Sequence, residues 1–200
     1  NELNNHNQLM STTRLIAITG GIGSGKSIIS DILRAMGHKV YDCDTRAKAL
    51  MDTDESIKND LIDLISIDAV RNDRTIDRKL LSEIVFNDPD ALSRLNSIVH
   101  KAVRADLRRW RDTSSDKTVW VETAILYASR LDREVDEVWE VTAPTELRVQ
   151  RVMKRNSMSR EQVLARISSQ STTAAQLHPL TKSIVNDGVE PVLPQILSLL

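Results

Sequence analysis

The sequence predicts an α/β protein with a parallel sheet covered by helices on both faces, and three observations carry that prediction. Short apolar runs alternate with longer segments of helical periodicity. A glycine-rich loop joins the first apolar run to the first helical segment. Two hundred residues, 40% of them hydrophobic, suffice for one sizeable core with room for an inserted lobe.

The opening NELNNHNQLMSTT, residues 1–13, is polar, and it is expected to stand outside the fold as a tail ahead of the single domain 14–200. RLIAIT (14–19) reads as a short buried strand. KSIISDILRAMG (26–37) places Ile28, Ile29, Ile32, Leu33 and Met36 on one helical face before Gly37 stops it. HKVYDCD is a second strand. The block from about 45 to 112 is polar, charged and helical in period, an inserted helical lobe. Strand character returns in KTVWVE (117–122) and VDEVWEVTA (135–143). The Arg-rich segment of about 145–172 forms two helices around a turn near Asn156 to Ser159, and a fifth strand, KSIVND (182–187), precedes a helical tail.

Charge and composition exclude several classes of function. Twenty-seven basic side chains against 28 acidic ones leave no global field for nucleic acid or an anionic membrane, so any anion site is local. Cys43 is the only cysteine, which rules out an intrachain disulfide and fits a reducing cytoplasm, and the four histidines lack zinc spacing. The polar start is unlike a signal core, and VLPQILSLL is too short to cross a bilayer. Trp110, Trp120 and Trp139 read as packing residues.

The chemistry is concentrated in GGIGSGKS, Gly20 to Ser27, which has the spacing G-x-x-x-x-G-K-S between strand and helix. Glycines let successive backbone N–H groups turn onto phosphate oxygens, and the positive end of the following helix adds to their attraction. Lys26 then holds the β- and γ-phosphates of a nucleotide, and the Ser27 hydroxyl ligates Mg²⁺. In an extended YDCD, Asp42 and Asp44 lie on one side with Cys43 opposite, at the strand end where a parallel sheet presents its crevice. One carboxylate can take a hydroxyl proton while the other orients water on the metal; alternatively, the pair caps the helix that begins at TRAKALM. Glu122, ending the third strand, reaches Mg²⁺ through water or is an ordinary strand-end carboxylate. Arg148, Arg151 and Arg155 share a helix face and can close over phosphates, or form a solvated surface with Glu146 and Glu161. His100, alone on its helix, is a ligand contact or a structural hydrogen bonder. Cys43 reads as a packed side chain rather than a nucleophile.

Taken in order, LIAITGGIGSGKS, VYDCD, LNSIVH, ILYAS, APTELRVQRVMKR, SREQVLARISSQ and IVNDG resemble the dephospho-CoA kinases over Arg14 to Leu200. The resemblance implies a P-loop kinase fold with five parallel strands, a helical acceptor lobe and a lid, and phosphorylation of the 3′-hydroxyl of dephospho-CoA by ATP. It implies that Gly21, Ile22, Gly23, Ser24, Gly25, Lys26, Ser27 and Ile28, with Arg155, hold ATP. Asp42, Asp44 and His100 face the acceptor, and Arg151 acts from the lid side. Arg104, Arg108, Arg109 and Arg111, near the end of the lobe, offer charge for the acceptor pyrophosphate. Two positions depart from the family pattern: Lys101 stands where a proline is usual, and Ala128 where a glutamate is usual. Other readings are a kinase of similar build with a different acceptor and a P-loop switch or motor. Neither an Asn-Lys-x-Asp nor a Leu-Ser-Gly-Gly-Gln motif is present to favour the switch or motor.

Overall fold

The computed structural model describes residues 13–170 and 177–200; residues 1–12 of the expected tail and 171–172 of the expected lid lie outside them. Five strands form one sheet: β1 (Arg14–Thr19), β2 (Val40–Asp42), β3 (Thr118–Glu122), β4 (Glu137–Thr142) and β5 (Thr181–Val185). Their order is β2-β3-β1-β4-β5, and every pair is parallel. Thr13, expected in the tail, is buried and donates its hydroxyl to the Asp116 carbonyl at 3.0 Å, so the fold includes it.

Side-chain alternation along the central strands divides the interior in two. Leu15 and Ala17 of β1, with Val119 and Val121 of β3, face one core, built with the helical lobe. Ile16 and Ile18, with Trp120 and Trp139, face the other, against α1 (Lys26–Ala35) and α8 (Val192–Leu199). Trp120 and Trp139 meet edge to face with centroids 6.1 Å apart, as expected of packing residues. The apolar stripe of α1 is narrower than its periodicity suggests. Ile29 and Leu33 are buried, whereas Ile28 turns into the cleft above the sheet and Met36, at the end of the helix, is exposed.

The lobe comprises α2 (Cys43–Thr53), α3 (Glu55–Leu64), α4 (Arg78–Asn87) and the long α5 (Pro89–Asp112). Each begins at an aspartate whose carboxylate receives backbone N–H groups: Asp42, Asp54, Asp77 and Asp88. Pro89, at the first position of α5, lacks the N–H that would have been unpaired there. The Arg-rich segment folds as α6 (Thr145–Asn156) and α7 (Arg160–Gln170), hinged at Ser157 with φ +52°. Val149, Val152, Val163 and Ile167 join the two helices, and Ile22 of the glycine-rich loop packs against that cluster.

The strand expected through Asp44 stops two residues earlier. Asp42 ends β2 and caps α2, accepting from Asp44 N at 2.9 Å and Thr45 N at 3.1 Å, while its other oxygen accepts the Thr45 hydroxyl at 3.0 Å. Cys43 and Asp44 are therefore helical, and the alternation that put the two carboxylates on one side does not apply. Local capping outcompeted a strand only three residues long.

Candidate active site

The glycine-rich loop lies between the C-terminal end of the central strand β1 and the N-terminus of α1, where the chain crosses to opposite sides of the sheet. Gly25 precedes α1 with φ +96°, and Gly23 has φ +79°, a left-handed backbone that other residues adopt only under strain. A Cβ on Gly23 would come within 2.6 Å of the Arg148 carbonyl, so close packing also demands glycine there.

A cleft of about 410 Å³ opens over this loop. Its walls include Ile22, Gly23, Gly25, Lys26, Ser27 and Ile28 from the loop and α1, Asp44 from α2, Glu122 from β3, and Arg151, Arg155 and Gln170 from α6 and α7. Lys26 donates from Nζ to the Gly20 carbonyl at 2.8 Å. Burial holds its ammonium below the ordinary lysine range, and Glu122 and Asp44 oppose that shift. Ser27 donates its hydroxyl to Glu122 Oε1 at 2.9 Å, which puts two hard oxygen donors side by side. That donor set suits Mg²⁺, which keeps several waters and takes few protein ligands. Ser27 would hold the ion directly and Glu122 through water.

Three arginines converge from α6. Arg148 donates from Nε to the Ile22 carbonyl at 2.9 Å, and burial lowers its pKa. Arg151 reaches the Gly23 and Ser24 carbonyls and the Asn186 side chain, each at 3.4 Å. Arg155 is exposed and bonds Asn156 at 2.8 Å. The α6–α7 pair thus grips the glycine-rich loop while leaving two guanidinium groups on the cleft wall.

Gly21 and the buried Ser24 support the loop without lining the cleft, and Asp42 borders a separate cavity with Tyr41, Thr45, Arg46 and Trp110. His100 also lies outside the phosphate cleft. It lines an adjoining, largely apolar cavity with Cys43, Ala47, Val99, Val103 and Asp44, so Asp44 belongs to both walls. Burial, aided by the charge of Arg104, lowers the His100 pKa and so favours the neutral imidazole. The Cys43 thiol is pushed up to about 12, chiefly by burial, and is inert as expected.

The arginines near the end of α5 differ from expectation. Arg108 is held by Glu134 and Arg111 bonds Asp112 at 3.0 Å, whereas Arg109 approaches Asp106 at 3.5 Å. Of these four arginines, Arg104 alone reaches the wall of the His100 cavity, donating to the Ser129 carbonyl at 2.7 Å. Lys101 and Ala128, the departures from the family pattern, are exposed and line neither of the two joined cavities. Sequence reasoning missed Asn186, whose Nδ2 donates to the Ser24 carbonyl at 2.9 Å. It missed Gln170 as well, whose side-chain oxygen accepts the Ile22 N–H at 2.7 Å. Each contact joins residues more than a hundred positions apart, beyond the reach of any local pattern.

A parallel sheet with a phosphate loop after its central strand, an acidic residue beside the cleft and an arginine-bearing helix pair above it define a P-loop kinase. The family model for dephospho-CoA kinase matches residues 14–191. A dephospho-CoA kinase from Bacteroides fragilis is 39% identical, with 92% of this chain and 90% of the relative covered. One from Carboxydothermus hydrogenoformans is 33% identical, covering 93% and 92%. Among solved structures, a Thermus thermophilus protein is 34% identical with a TM-score of 0.73, covering 94% of this chain and 98% of that one. Shikimate kinase from Acinetobacter baumannii, 14% identical with a TM-score of 0.53 over 94% and 93%, shares the fold. The chain belongs to the dephospho-CoA kinase family. No helix among the described residues is long and apolar enough to cross a membrane.

Proposed function

We propose that the chain transfers the terminal phosphate of ATP to the 3′-hydroxyl of dephospho-CoA, giving coenzyme A and ADP, the last step of coenzyme A biosynthesis. One observation carries this reading: Asp44 stands on the wall shared by the phosphate cleft and the cavity containing His100. A carboxylate between a phosphate site and a second cavity is where a base must be to take a proton from an acceptor hydroxyl.

In this reading Lys26 leaves the loop carbonyls to hold the β- and γ-phosphates, and the N–H groups of Gly23, Gly25, Lys26 and Ser27 surround the phosphate chain, while that of Ser24 stays with the Gly21 carbonyl at 3.1 Å. Mg²⁺, held by Ser27 and by Glu122 through water, neutralises charge on the phosphates. Arg151 and Arg155 turn from their present weak or exposed contacts toward the oxygens that gain charge during transfer. Asp44 accepts the hydroxyl proton. Asp42, whose carboxylate is taken up by capping, holds the start of α2 and thereby sets where Asp44 stands. At about 90 Å³ the His100 cavity is smaller than the roughly 300 Å³ typical of ligand pockets, so it takes one edge of the acceptor while the remainder lies across the lobe. A cytoplasmic setting accords with a single buried cysteine.

A coupled ADP-release assay across dephospho-CoA, nucleoside monophosphates and shikimate-type alcohols tests the assignment, with product analysis to locate the phosphate. Turnover with dephospho-CoA and a new 3′-phosphomonoester is the expected result. Faster turnover with a nucleoside monophosphate would replace the reading with that of a nucleotide kinase.

A further inference from the structure

Asn186 follows the last residue of β5, yet its side chain leaves the sheet for the phosphate loop. Its backbone N–H is fixed to the Thr142 carbonyl at 2.8 Å, so the residue is anchored to β4. Its side chain is buried, with Nδ2 donating to the Ser24 carbonyl at 2.9 Å and Oδ1 accepting from Arg151 Nη2 at 3.4 Å. The two ends of the amide face partners of opposite kind, a carbonyl and a guanidinium, which fixes its orientation. An aspartate of the same shape would turn an acceptor against the Ser24 carbonyl, and a glutamine would be one methylene too long. The fit is tight: a Cβ on Gly25 would come within 2.1 Å of Asn186 Nδ2.

We infer that Asn186 is a positioning residue for phosphoryl transfer, transmitting the rigidity of the sheet to the Ser24–Gly25 peptide and setting the resting direction of Arg151. This rests on the phosphate-cleft reading given above. The Ser24 carbonyl must point away from the cleft for the N–H groups that follow it to point inward. Asn186 is the side chain that holds it there, with a longer 3.4 Å contact from Arg151. Arg151 has three acceptors at 3.4 Å and no short bond to them, a geometry that keeps the guanidinium beside the cleft without locking it.

The test is a double-mutant cycle in kcat with Asn186→Ala, Arg151→Lys and the pair, alongside Lys26→Ala and a circular-dichroism melt of each variant. Asn186→Ala should lose about tenfold or more in kcat per folded molecule, with KM for dephospho-CoA changed by less than about threefold. The double variant should lose clearly less than the product of the single losses, because the two side chains act together. A purely structural residue would lower the melting temperature while leaving kcat per folded molecule unchanged. Asn186→Asp, which preserves volume but removes the donor, gives the same readout if the alanine variant does not fold. Wild-type kcat in the Asn186 variants, or strictly multiplicative losses, would overturn the inference. An active Lys26→Ala enzyme would instead remove the reading of the cleft on which it rests.

Discussion

In the proposed transfer, Lys26 and Asp44 are the residues on which phosphate chemistry turns. Lys26 is partly desolvated and faces loop carbonyls that a triphosphate can displace. Lys26→Ala should abolish transfer, and even about 1.4 kcal/mol of lost transition-state stabilisation would cost roughly tenfold. Turnover within about threefold of wild type would contradict that. The two aspartates should separate by assay, because one caps a helix and the other faces both cavities. Asp44→Asn should lower kcat far more than it weakens ATP binding, since an amide cannot take the proton. Asp42→Asn should keep its melting temperature, asparagine being as good a cap, whereas Asp42→Ala should lose about 1 kcal/mol. Steady-state kinetics and thermal melts check both, and a greater kcat loss in Asp42→Asn than in Asp44→Asn would reverse the roles.

At the scale of elements, the junction of β2 and α2 is held from below by α5. Asp106, buried on α5, accepts the Tyr41 hydroxyl at 2.7 Å and three bonds from Arg46, one from Nε at 2.9 Å and two from Nη2 at 2.9 and 2.7 Å. Burial alone would raise the Asp106 pKa, but the bonds from Tyr41 and Arg46 outweigh it and hold the carboxyl below its ordinary 3.8. A depressed carboxylate contributes stability above its unfolded pKa and loses that contribution as pH falls through the folded value. Wild-type protein should therefore lose stability steeply below about pH 4. Asp106→Asn should be less stable at pH 7 by about 3 kcal/mol, a fall on the order of 10 °C in Tm. Its Tm should then decline less steeply in acid. Parallel slopes for the two proteins would show that Asp106 does not carry the effect. The same junction marks the limit of what local sequence reveals. Apolar runs disclosed all five strands, and the G-x-x-x-x-G-K-S spacing disclosed the phosphate loop. VYDCD alternates like a strand, and Cys43 is indeed buried, yet the aspartate at the head of TRAKALM gains more as a cap. The contacts of Asn186, Gln170 and Arg108 were hidden because partners remote in sequence are brought together only by the finished sheet and lid.

Across the whole molecule, two cavities meet at Asp44, one beneath α6 and α7 and one between the helical lobe and the segment that follows β3. A lobe of four helices is more than a small alcohol requires, and it offers a long wall to an acceptor that carries an adenosine, a pyrophosphate and a pantetheine arm. Binding energy from the remote arm can then serve to position the 3′-hydroxyl, so that cutting the acceptor back lowers the rate as well as the affinity. The direct measurement is kcat/KM for dephospho-CoA and for adenosine 5′-phosphate, side by side with saturating MgATP. The account predicts a steep loss, on the order of a hundredfold or more, for the truncated acceptor. Equal efficiency with the two acceptors would contradict it, because the lobe would then contribute nothing to the acceptor it is assigned.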